Sequence, residues 1–129
     1  MNDDPNTSER SWGDKFRDAF AGVHVGIEGQ SSFRVHALVA ILVIVTGFAL
    51  GVSLIEWCAL LLCIGGVLTA ELFNSALESM AKAITHENHP HLGNSLDIAS
   101  AAVLVASCGA AIVGLLIFGK HIAILLDWW

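Results

Sequence analysis

An all-α integral membrane fold with three spanning helices is predicted for this chain of 129 residues, and three observations predict it. The hydrophobic fraction is 55%, the charged fraction only 14%, and mean hydropathy is +0.69, beyond what a water-soluble domain of this size carries. No Asp, Glu, Lys or Arg occurs from His36 through Ile55, from Trp57 through Ala70, or from Ile98 through Gly119. A helix needs about 20 apolar residues to cross a hydrocarbon core of about 30 Å, and two of these runs reach that length unaided. The middle run becomes a full span if its helix continues through Glu71, Asn74 and Glu78, which brings those side chains to a membrane face.

In chain order, residues 1–11 read as a disordered tail ahead of a single membrane domain over 12–129. A surface helix is expected at about 12–30, because Phe16, Phe20, Val23 and Ile27 recur at helical spacing opposite Asp14, Lys15, Arg17, Asp18 and His24. That pattern suits an amphipathic helix at the membrane interface, or a short soluble helix packed on the protein itself. The spans follow at about 34–52, 54–84 and 96–125, with a loop at about 85–95. The first span is not expected to be a signal peptide, since a long polar segment precedes it and no small-residue cleavage pattern follows. Arg10, Lys15, Arg17 and Arg34 precede it, whereas the connection near 51–56 has no Lys or Arg, so the N-terminus is expected in the cytoplasm of an inner or plasma membrane protein. The 85–95 loop then lies on the same side. Trp57 and the terminal Trp128 and Trp129 fall at the outer interface.

Cys58, Cys63 and Cys108 all lie in apolar runs, where a thiol packs as a small hydrophobe, so neither a disulfide framework nor a zinc site is expected. Acidic residues gather near the N-terminus and around the middle of the chain, a pattern unsuited to nucleic acid. Gly65 and Gly66 are expected to permit close helix packing in the second span. Neither a phosphate-binding GxxxxGK[ST] loop nor a nucleophile elbow occurs.

The chemistry concentrates in Glu71-Leu72-Phe73-Asn74-Ser75-Ala76-Leu77-Glu78. Positions i, i+3, i+4 and i+7 share a helix face, so two carboxylates, an amide and a hydroxyl point together. Carboxylates at bilayer depth cost several kcal/mol unless paired or hydrated, so this face should line a wet or enclosed site, or else cap a helix emerging into water.

With Asp97-Ile98-Ala99-Ser100-Ala101-Ala102-Val103-Leu104 downstream and Phe33-Arg34-Val35-His36 upstream, this segment resembles the small bacterial membrane-embedded lipid kinases, the family of diacylglycerol kinase and undecaprenol kinase. The resemblance spans roughly residues 16–118. It implies a homotrimer that moves the γ-phosphate of ATP, with Mg2+, onto a lipid hydroxyl. Carried over by position, Glu71 is the general base and a lipid-substrate contact, joined by Phe33 and Ser100. Glu78 holds the metal, with Gln30 as a weak second ligand. Nucleotide contacts fall to Gln30, Asn74, Glu78, Lys82, Glu87, Asn88, His89 and Asp97. Val52-Ser53-x-Ile55-Glu56-Trp57 and Gly114-Leu115-Leu116-Ile117-Phe118 look more like the undecaprenol branch.

Three positions depart from the family pattern. Gln30 stands for a usual glutamate, Leu96 for a lysine, and Lys82 for an aspartate. Either Lys82 restores the cation lost at Leu96, able to touch phosphate or pair with Asp97, or the chain is a weakened or dead nucleotide-binding pseudokinase or scaffold. An ion-handling membrane subunit is a third class, motivated only by Glu71 at bilayer depth.

Overall fold

A computed structural model describes residues 10–29, 31–84 and 89–126, and all regular structure among them is helical: α1 Trp12–Gly29, α2 Ser31–Leu50, α3 Leu54–Ile84 and α4 Pro90–Leu125. At about 1.5 Å per residue α2 is about 30 Å long, while α3 and α4 reach about 46 and 54 Å and outrun a hydrocarbon core. All three are long and apolar enough to cross a membrane.

Each boundary has a local cause. Ser11 begins α1: the Asp14 N–H donates to Ser11 Oγ at 3.2 Å and Ser11 Oγ donates to Asp14 Oδ2 at 2.8 Å. At the end of α2, Gly51 takes φ +64, and its N–H reaches Phe48 O at 3.3 Å while the Val52 N–H reaches Gly47 O at 3.2 Å. That pair of bonds is a Schellman cap, and the left-handed residue it needs is the glycine. Ser53 and Glu56 form a capping box for α3, with the Ser53 N–H donating to Glu56 Oε2 at 2.8 Å and the Glu56 N–H to Ser53 Oγ at 3.4 Å. Proline in its first turn lets α4 begin at Pro90, so His91 through Ser95, expected in a loop, are helical.

The fold is a long α3–α4 hairpin with α2 against both and α1 across α2 and α3. Its interior is thin: Leu60, Val67 and Ala81 of α3, Ala99 and Val103 of α4, and Phe33 and Ala40 of α2 are buried. Leu38, Leu42, Phe48, Leu62, Val105 and Leu116 are among the large apolar side chains left outside. Helices apolar on every side suit a hydrocarbon solvent. One close approach is at Gly47, where an added Cβ would lie 2.8 Å from Trp57, whose ring is 4.8 Å from Phe48 between centroids. Gly65 and Gly66 do not serve this purpose: a Cβ at either meets nothing within 4 Å, so the expected close packing is absent inside the described chain. They fall on an outward side of α3, which the sequence alone does not orient.

On α1, Arg17 pairs with Asp14 at 3.0 Å and Lys15 lies 4.6 Å over the Trp12 ring, while Phe16 and Phe20 are exposed. The tail over 1–9 and the outer-interface tryptophans 128 and 129 lie outside the described residues.

Candidate active site

Glu71 is 1% exposed, a carboxylate enclosed on a helix otherwise surrounded by apolar side chains. Counting from Leu54, it stands about 25 Å along α3 and Glu78 about 36 Å, so a core of about 30 Å laid from the start of α3 would end between them. Its partners come from α2. Ser32 Oγ donates a hydrogen bond to Glu71 Oε1, and His36 Nε2 stands 3.1 Å from the same oxygen. Burying a carboxylate without partners is costly, and these contacts offset that cost. Three residues on, Asn74 is 8% exposed and its Nδ2 donates to Glu78 Oε1 at 3.0 Å. Asn74 Oδ1 and Ser75 Oγ are buried without a hydrogen-bond partner among the described residues, which leaves two polar atoms with acceptor capacity to spare.

The structure thus gathers Glu71, Asn74 and Glu78 on one face of α3, with Phe33 buried on α2. Gly26 of α1 is buried against Leu72, which places the surface helix one residue from Glu71. Lys82, Asp97 and Ser100 are exposed, and His89 is exposed at the N-cap of α4. Lys82 and Asp97 form no ion pair with each other among the described residues. Gln30, Glu87 and Asn88 lie outside those residues. Sequence reasoning missed Ser32 and His36. The available signal was a serine and a histidine one helical turn apart at the start of an apolar span, a pattern that names no partner.

From His36 an apolar groove of about 500 Å3 runs between α2, α3 and α4, with Val43, Leu60, Val67, Ala111 and Phe118 in its walls.

Three helices fit to span a membrane, with an enclosed carboxylate on the second of them, define the class. Residues 17–118 match the prokaryotic diacylglycerol kinase family, and the chain belongs to that family. It is 37% identical over 103 residues to undecaprenol kinase of Bacillus subtilis, covering 80% of this chain and 84% of that one. Against diacylglycerol kinase of Haemophilus influenzae it is 32% identical over 99 residues, covering 75% and 84%. Against diacylglycerol kinase of Escherichia coli it is 28% identical over 103 residues, covering 80% and 84%. The protein is a membrane lipid kinase.

Proposed function

We propose that this kinase transfers the γ-phosphate of ATP to the hydroxyl of a membrane lipid, undecaprenol or diacylglycerol, at the cytoplasmic surface, with Glu71 as general base. The carrying observation is the setting of Glu71: enclosed, held by two side chains of α2, and about 25 Å along a helix that outruns a hydrocarbon core. There a lipid alcohol held at the interface meets a base whose carboxylate is oriented before the substrate arrives. Glu71 takes the hydroxyl proton as the alkoxide oxygen bonds to the γ-phosphorus, and the bond from that phosphorus to ADP breaks. Undecaprenol is favoured, in keeping with the higher identity to the Bacillus subtilis relative.

The donor set suits magnesium, a hard cation held by oxygen ligands: Glu78 offers a carboxylate and Asn74 a side-chain carbonyl without a hydrogen bond among the described residues. When bound, the ion would supply positive charge against the phosphate oxygens of the nucleotide. Glu78 would hold it, with Gln30 a weaker ligand, while Lys82, Glu87, Asn88, His89 and Asp97 would contact nucleotide and Phe33 and Ser100 the lipid. The assembly we propose is a homotrimer with α1 lying on the cytoplasmic interface.

Purified protein, labelled ATP and lipids extracted from the membrane test the reading and name the alcohol. Label in a lipid phosphate, dependent on magnesium, is the expected result. Absence of transfer to either undecaprenol or diacylglycerol would overturn it in favour of the non-catalytic pseudokinase.

A further inference from the structure

Helix α2 brings two side chains to Glu71, and both reach the same oxygen. Ser32 and His36 are one helical turn apart and so share a face. The Ser32 hydroxyl donates to Oε1, and His36 Nε2 stands 3.1 Å from Oε1. Neither contact is made to Oε2. The His36 side chain, 23% exposed, also lines the end of the apolar groove between the three spans. One imidazole therefore touches the carboxylate on one side and a lipid-compatible groove on the other.

We propose that Ser32 and His36 are positioning residues, which hold Glu71 by Oε1 and so aim Oε2 at the lipid hydroxyl. The proposal rests on Glu71 as the base. The terminal torsion of a glutamate is broad and roughly two-fold, so an unrestrained carboxylate samples orientations in which neither oxygen meets the substrate. A base must lie within about 2.6–3.2 Å of the hydroxyl it deprotonates, and a misplacement of about 1 Å can cost about 10²-fold in rate. Two contacts on one oxygen remove that freedom.

The test uses the full-length protein in mixed micelles with MgATP, supplied with undecaprenol and with diacylglycerol in parallel. His36→Ala is expected to lower kcat about tenfold with the KM for ATP unchanged, a smaller fall than complete misplacement would give. His36→Gln, which returns a nitrogen near the Nε2 position, is expected to recover most of that loss. In a Glu71→Gln background, His36→Ala is expected to lower the residual rate no further, because a residue acting through Glu71 has nothing left to aim. If His36→Ala does not fold, Ser32→Ala removes a single oxygen and carries the same test, with a severalfold fall in kcat expected. Wild-type or raised kcat in His36→Ala, or in Ser32→Ala where it takes that role, overturns the proposal while an inactive Glu71→Gln leaves the base intact. Equal losses in His36→Ala and His36→Gln indicate packing alone and also overturn it. Wild-type turnover in Glu71→Gln refutes the base itself, and this proposal with it.

Discussion

Lys120 Nζ on α4 stands 3.0 Å from Glu56 Oε1 on α3, joining the last turns of one helix to the first turn of the other at the end of the hairpin remote from Glu71. His121 Nε2 adds a contact at 3.1 Å to Glu56 Oε2, the oxygen that also accepts the capping bond from Ser53. One carboxylate thus caps α3 and pins α4 to it. Lys120 is largely exposed, so its share is screened, while Glu56 and His121 are mostly covered.

Glu56→Ala removes the cap and both cross-helix contacts together. The thermal unfolding temperature in detergent should fall by several degrees, with kcat and the KM for ATP within about twofold of wild type, the latitude left by changes remote from the chemistry. A loss of turnover in well-folded Glu56→Ala would mean that this end of the hairpin is coupled to the site.

Gly47 faces a rigid neighbour. An added Cβ would lie 2.8 Å from the Trp57 ring, and an indole cannot swing aside as the end of a flexible chain does. Gly47→Ala should destabilise by about 1–3 kcal/mol, the usual cost of overpacking. Trp57 fluorescence should shift in the folded variant. Unchanged stability and an unchanged spectrum would show that α2 moves away without penalty.

Glu71→Gln keeps size and hydrogen bonding but removes the basic oxygen. Phosphorylation should fall about 10²-fold or more, the scale of general base catalysis, while ATP binding changes little. Calorimetric titration with ATP alongside the labelled-lipid assay separates the two effects. Retained turnover would remove Glu71 from the base role.

The polar face around Glu71 was legible because it depends on one helix alone: spacing at i, i+3, i+4 and i+7 settles a shared side wherever the helix lies. The membrane class was legible for a similar reason, since length and charge-free runs are properties of single segments. Partners across helices were not. Ser32 and His36 are 39 and 35 residues from Glu71 in sequence, and which turn of α2 meets which turn of α3 depends on the Gly51 turn and on Gly47 seating under Trp57. Lys120 and His121 meet Glu56 for the same kind of reason, set by the length of the α3–α4 hairpin. Gly65 and Gly66 show the converse, a local pattern whose meaning depends on an orientation that only packing supplies.

Topology gives an independent check. The cytoplasmic reading places His89 and the start of α4 on the same side as the N-terminus. A single cysteine at position 89, in a background lacking Cys58, Cys63 and Cys108, should resist membrane-impermeant thiol reagents in intact cells and react once the membrane is opened. Labelling from outside would put the nucleotide contacts on the wrong side for ATP.

The departures from the family pattern lead to the last prediction. With Gln30 neutral, Glu78 is the main carboxylate proposed for magnesium. Each charged oxygen ligand adds attraction for a hard cation, so Gln30→Glu should lower the magnesium concentration giving half-maximal activity. Lys82 makes a separate demand. It is exposed one turn beyond Glu78, while Leu96, where the family carries a lysine, is half-buried near the start of α4. Lys82 has no Asp97 partner among the described residues, so of its two proposed roles the phosphate contact is the one to test. If it replaces the missing cation, Lys82→Ala should weaken ATP affinity, and Leu96→Lys should restore part of it in the double mutant. That rescue is a coupling energy, read from a double-mutant cycle of ATP dissociation constants. Additive effects would show that the two positions do not share the phosphate, and Lys82 would then be a solvated surface charge.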